Sequence, residues 1–223
     1  MHKGLTTFKI FYLLLFVMMN ICSCQPAKEI AKQSEESDTL KDYSGTSDYF
    51  IDERDGKSYK WVRIGDQIWM AENLAFKADS GCVALNNNKN NIKKYGYLYD
   101  GNIAQKIAPK GWHLPSKKEY ETLCNFFGNN MKESFYSFKK LNSSTFNSLN
   151  SGRYNKKDDK FIHSFIKTFR IDIYWTSSLS SYSKDPSNCY HTLLINYFRE
   201  IMLVGTLCNV ADNEYFPIRC IKD

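Results

Sequence analysis

Gly111-Trp112-His113-Leu114-Pro115-Ser116-Lys117-Lys118-Glu119 is the stretch on which the reading of the folded part turns. Ser116 stands where a side-chain oxygen can accept a backbone N–H, and Glu119, three residues on, can reach back to it. That is a capping box, and it predicts a helix start. Tyr120, Leu123, Cys124 and Phe127 follow at helical spacing, giving one apolar face, and Gly128 ends the run. Met131, Phe135, Phe138 and Leu141 fall on roughly one face of a second short helix, after which 142–160 reads as polar loop.

Upstream of the helix the period changes. Asp55-Gly56 and Ile64-Gly65-Asp66-Gln67 are turn signals, Tyr59 and Trp61 alternate with Lys60 and Val62, and Ile68-Trp69-Met70 opens another strand. Two successive hairpins are expected. Residues 75–94 hold Asn86, Asn87, Asn88, Asn90 and Asn91 and read as a surface loop before order returns at Tyr95–Tyr99. Downstream, 171–175, 189–197, 200–208 and 218–221 read as strands, with 177–188 a polar loop. The fold class is therefore α+β: early hairpins and a capped helix, then an antiparallel sheet. The stretch 51–223 suits one domain around one core.

The beginning of the chain carries a different message. Lys3 and Lys9 flank an uncharged, mostly apolar run from Ile10 to Met19, closed by Ile21-Cys22-Ser23-Cys24. This is the order of a secretory signal, and the run falls short of the roughly 20 residues a spanning helix needs. The closing four residues resemble a bacterial lipobox, which implies cleavage after residue 23 and acylation of Cys24. Each buried acyl methylene is worth about 0.8 kcal/mol, and up to three chains would hold the protein firmly at a membrane. The expected organisation is a lipoprotein signal peptide at 1–23, a lipidated cysteine and disordered tether at 24–48, and a domain at 49–223. Residues 25–48 are polar and charged, too poor in apolar side chains to fold. Losing Lys3 and Lys9 from 30 basic residues leaves 28 against 24 acidic ones. The surplus is scattered, so a nucleic-acid partner is not expected. Attraction for acidic glycans or an anionic cell surface is.

Six blocks in register carry a family resemblance: Asp55-Gly56-Lys57-x-Tyr59, Ile64-Gly65-x-Gln67-x-Trp69-Met70-Ala71-Glu72-Asn73-Leu74, Tyr95-Gly96-x-Leu98-Tyr99, Gly111-Trp112-His113-Leu114-Pro115, Trp175-Thr176-Ser177-Ser178 and Ile218-Arg219-Cys220-Ile221-Lys222-Asp223. Together they resemble the Fibrobacter succinogenes major paralogous domain, over about 51–223. The resemblance implies the neighbourhood of the C-type lectin-like fold, shared with formylglycine-generating enzymes, and no particular reaction. By analogy with that fold it also implies disulfides Cys124–Cys220 and Cys189–Cys208, worth about 4.7 and 3 kcal/mol on a loop-entropy argument. Cys82 is then left over, and Cys82–Cys220 is the rival pairing.

Candidate chemistry is sparse. His113, His163 and His191 lack metal-ligand spacing, Asp158-Asp159 resembles no calcium loop, and the sugar-binding calcium runs of lectins are absent, so neither metal nor cofactor is expected. His113 reads as structural. Ser177 and Ser178 lack a nucleophile elbow and read as backbone-bonding groups at a strand end. Trp61, Trp69, Trp112 and Trp175 read as core. If the fold is lectin-like, recognition falls on the loop after the Trp-Thr-Ser-Ser strand, with Tyr182, Lys184, Asp185 and Asn188 available. The expected protein is a non-catalytic binding or adhesion module for glycan or protein, lipid-anchored at the outer membrane. Its alternatives are a structural envelope scaffold and an enzyme of the formylglycine-generating type.

Overall fold

Gly56, at φ 71°, turns the chain between β1 (Ser47–Asp52) and β2 (Lys57–Ile64), and Gly65 turns it again into β3 (Gln67–Met70). The pairs Phe50 opposite Tyr59 and Val62 opposite Trp69 lie on opposite faces of the ribbon, because Tyr59 and Val62 are three residues apart, so β2 buries side chains on both faces. The computed structural model describes residues 45–162, 170–181, 189–208 and 210–223.

The asparagine-rich stretch is more ordered than a surface loop. Cys82–Ala84 forms β4, 3-10 turns cover Leu85–Asn87 and Lys89–Asn91, and a one-turn helix α1 (Ile92–Tyr95) leads into β5 (Tyr97–Tyr99), which pairs with β4. Asn86 and Asn87 adopt left-handed φ of 55° and 53°, which asparagine tolerates best after glycine, while Leu85 is buried beneath them. The composition thus reports a tight, turn-rich excursion with apolar anchors. A second short helix, α2 (Gly101–Ala104), follows, then β6 (Trp112–His113).

Helix α3 (Lys117–Phe127) starts as predicted. Ser116 Oγ accepts from Glu119 N at 3.3 Å, and Glu119 Oε2 accepts from Ser116 N at 2.7 Å. Tyr120, Leu123, Cys124 and Phe127 are all buried. Gly128 ends the helix at φ 170°, extended rather than left-handed, because the next helix packs close: a Cβ there would lie 2.6 Å from Ser134 N. That next helix, α4 (Met131–Leu141), buries Phe135 and Phe138 but leaves Met131 half exposed.

Residues 142–160, expected as loop, contain β7 (Arg153–Asn155), which forms a small hairpin with β8 (Lys160–Ile162). β9 (Ile171–Leu179) runs past Trp175 and takes in Ser177 and Ser178. β10 (Cys189–Asn196) and β11 (Ile201–Cys208) follow, then β12 (Glu214–Tyr215) and β13 (Ile221–Lys222), the last shorter than 218–221. Four antiparallel sheets result, ordered β1-β2-β3-β13-β6, β11-β10-β9, β12-β7-β8 and β4-β5. The architecture is mixed helix and antiparallel sheet.

Large rings fill the core. Trp69 stacks on Tyr120 at 5.1 Å and meets Phe146 edge-on at 5.7 Å, and Phe146 meets Tyr174 at 5.3 Å. Trp175 packs on Phe216 and donates from its indole N–H to Tyr99 O at 2.7 Å, so its polar atom is satisfied in the interior. Each such ring, fully buried, is worth about 1.5–3 kcal/mol. Trp69, Trp112 and Trp175 are core residues as expected, and Trp61 packs half-buried against the same core.

Of the two expected disulfides one is present. Cys189 and Cys208 face each other across β10 and β11 and are bonded, with S–S at 2.00 Å. Cys124 and Cys220 are both free thiols, as is Cys82, so neither Cys124–Cys220 nor Cys82–Cys220 forms. The reason lies in the helical turn. The residue of α3 that reaches the β3 and β13 region is Tyr120, stacked on Trp69. Cys124, one turn on, faces α4 and β11 instead, where it shares a cavity of about 350 Å³ with Ser134 and Met202.

Candidate functional site

A groove of about 760 Å³ is walled by β2, the segment after β3, the turn into α1, the start of β5 and the loop at Asn147 and Leu149. Its volume lies in the roughly 300–1,000 Å³ range of small-ligand sites. Ala75, Ile92, Tyr97 and Leu149 give it apolar walls, and four ammonium groups surround them: Lys57, Lys89, Lys93 and Lys94. Glu72 is the one carboxylate among the lining residues. Lys57 pairs with Asp55 at 3.0 Å and donates to Ala75 O, and Lys94 lies over the Tyr95 ring at 4.9 Å. Lys89 and Lys93 are exposed and make no ion pair among the described residues.

The local sequence explains this shape. Ile92 packs into the core while Lys93 and Lys94, next to it on a single helical turn, point away. Gly96 closes that turn at φ 69°, its N–H bonded to Ile92 O. A Cβ at Gly96 would fall 2.5 Å from Leu74 O, so only glycine lets the α1–β5 corner approach the floor.

Behind the floor lies Arg219, fully buried. Its guanidinium donates to Asn73 Oδ1 at 2.7 Å, Met70 O at 3.3 Å, Asn147 O at 2.9 Å and Phe146 O, and it faces the Phe146 ring at 4.8 Å. Asn73 in turn donates to Tyr95 O at 2.8 Å and Ser151 Oγ at 2.5 Å. Two lining residues, Asn73 and Asn147, are therefore clamped from inside. Burial lowers the Arg219 pKa from its ordinary value, partly offset by the tyrosines near it. Arginine's five-donor fork suits this task in a way lysine does not.

His113 is structural, as its setting between Trp112 and Leu114 suggests. Its Nδ1 lies 2.7 Å from Asp223 Oδ1 and its Nε2 2.8 Å from Glu119 Oε1. Burial alone would lower its pKa, but the hydrogen bonds to Glu119 and Asp223 outweigh that and raise it. Glu119 goes the other way: burial raises its pKa, and the bonds from Ser116 and His113 bring it below the ordinary value. Ser177 and Ser178 bond backbone, Ser177 N donating to Pro115 O and Ser178 Oγ accepting from Lys117 N at 3.0 Å. Burial pushes the Cys124 and Cys220 thiols up to about 12, so both stay protonated near neutrality.

Of the expected site residues, Cys24 and the set Tyr182, Lys184, Asp185 and Asn188 lie outside the described residues. Among those described, no group of three or more His, Cys, Asp or Glu side chains could hold a metal, and no helix is long and apolar enough to cross a membrane. The groove itself was not anticipated. Its signal was Lys89-Asn90-Asn91-Ile92-Lys93-Lys94, three ammonium groups within six residues around one apolar anchor, obscured by the asparagines beside it.

The model of the family described as Fibrobacter succinogenes major domain (Fib_succ_major) matches residues 62–222. No curated protein and no solved structure matches the chain.

Proposed function

The chain belongs to the Fibrobacter succinogenes major domain family, and from that premise we propose a lipid-anchored outer-membrane protein whose domain is a non-catalytic binding or adhesion module for glycan or protein. The observation that carries the reading is the groove, which has ligand-sized volume, apolar walls, exposed lysines among its lining and a floor braced by Arg219. A pre-braced floor lowers the ordering cost of binding. The lipobox-like Ile21-Cys22-Ser23-Cys24 supports the anchor, and the polar run after it supports display on a tether. For the C-type lectin-like fold, the supports are the capped α3, the contact of its first residue Lys117 with Ser178 of the Trp-Thr-Ser-Ser strand, and β13 lying between β3 and β6.

Two measurements test this. Cys24→Ser is expected to release the protein from the membrane fraction and abolish acyl labelling; retention of both overturns the anchor. Ser58→Trp, which fills the groove from an exposed position, is expected to abolish capture of the ligand found on glycan arrays or intact cells. Undiminished capture overturns the groove.

The scaffold reading has one observation in its favour. β1 is an edge strand, and its Tyr49 and Ile51 are 64% and 66% exposed, a surface on which an envelope neighbour could pack. Against a formylglycine-generating type of enzyme weigh the protonated, buried thiols of Cys124 and Cys220, poor nucleophiles both.

A further inference from the structure

We propose that the lysine-lined groove takes an acidic glycan: a short run of sugar rings bearing carboxylate or sulfate groups. The proposal deepens the binding reading above and rests on it. Three features of the groove carry it.

The first is unspent charge. Lys89 and Lys93 stand four residues apart, Lys89 on the 3-10 turn before α1 and Lys93 in α1 itself, both exposed, both without an ion pair among the described residues. Like charges at that spacing repel, and the turn gains nothing from them until an anion lies between them. The second is the kind of cation. Lysines are flexible point charges without arginine's bidentate fork, which fits anionic groups distributed along a chain better than one rigid phosphate. The third is the mixture. The Tyr97 ring and Ile92 offer apolar surface to the faces of sugar rings, Ser58 offers an exposed hydroxyl, and Glu72 offers a carboxylate oxygen to sugar hydroxyls. Glu72 Oε2 already accepts from Lys60 N at 2.9 Å, which fixes the side chain at the wall. A carboxylate inside a cationic groove disfavours a dense polyphosphate and tolerates a ligand whose charges are separated by hydroxyls.

The full chain in detergent is titrated calorimetrically with oligogalacturonate, a heparin-derived oligosaccharide, a neutral oligoglucan of similar length and inorganic tripolyphosphate. At least one acidic oligosaccharide is expected to bind, with whichever binds naming the anionic group, and the neutral one to fail. Lys89→Ala with Lys93→Ala is expected to weaken binding roughly tenfold and flatten its salt dependence. Lys106→Ala with Lys110→Ala, exposed positions outside the groove, is expected to leave binding unchanged. Glu72→Gln is expected to strengthen it a few-fold, since the amide keeps an acceptor for Lys60 N. All of these positions are exposed, so unchanged melting temperatures confirm folding. Equal loss in both lysine pairs overturns the proposal, as does tripolyphosphate binding at least as tightly as the glycans. A neutral glycan whose binding is lost in Ser58→Trp but kept in the Lys89 and Lys93 variant overturns the acidic class and leaves the groove standing. Acidic binding indifferent to every groove variant overturns both.

Discussion

Arg219 brings a full positive charge into the interior, where four oxygens and an aromatic face hold it. Lysine in its place cannot satisfy those oxygens together, and each buried acceptor left unmade costs about 1–3 kcal/mol. Arg219→Lys is therefore expected to destabilise the fold by on the order of 3 kcal/mol or more, read as a shifted denaturant midpoint with an unchanged slope. His113 makes a prediction with a sign. Its pKa is raised on folding, so the stability it contributes is fully present below the ordinary value of 6.5 and is lost as pH rises through the folded value. Glu119, lowered on folding, contributes above its ordinary 4.5 and is lost as pH falls through its folded value. Their contact is strongest between those two pH values. Denaturation midpoints measured at pH 5.5 and 8.5 are expected to differ more in the native protein than in His113→Gln. A structural role for His113 was legible in the sequence, but the distant partners were not: Arg219 meets Asn73 across 146 positions, and His113 meets Asp223 across 110.

Helix α3 is the element the sequence specified best, because every signal in it is local. The cap and its reciprocal carboxylate lie three residues apart, and the apolar face repeats over three turns. Ser116→Ala is expected to cost about 1 kcal/mol, the usual worth of an N-cap. Glu119→Ala is expected to cost more, since Glu119 serves the Ser116 backbone, the Ser116 hydroxyl and His113 together. A double-mutant cycle with His113→Gln is expected to show coupling, and strict additivity would refute the shared network. The hairpins were legible for the same reason, through Asp55-Gly56 and Gly65-Asp66. What local signals could not supply was pairing at a distance. β7 looks like loop because Arg153-Tyr154-Asn155 holds one aromatic between polar residues; besides its hairpin partner β8 it pairs with β12 some sixty residues on, with Glu214 opposite Asn155. The groove lysines were hidden likewise, since their meaning depends on Ser58 and Leu149 arriving opposite them.

For the whole molecule the cystine matters most where the sheet is least supported. β11 is an edge strand of its sheet, paired only to β10 there. Cys189→Ser with Cys208→Ser is expected to cost about 3 kcal/mol on the loop-entropy argument, measured by thermal unfolding with and without reductant. Little change would mean that the ladder already fixes the loop. The Cys124–Cys220 bond shows where analogy outran geometry: both cysteines sit in elements that were correctly anticipated, but one turn of α3 sends Cys124 toward α4. The β10–β11 ribbon itself is a ladder tied at both ends, by the turn at 197–200 on one side and by sulfur on the other. Paired strands fray from their tips, and here both tips are tied, so the ladder amides near the ends of the ribbon are expected to be protected along with those between them. A reducing milieu would untie one end, let the outer strand peel, and offer its bare hydrogen-bonding edge to any neighbouring copy.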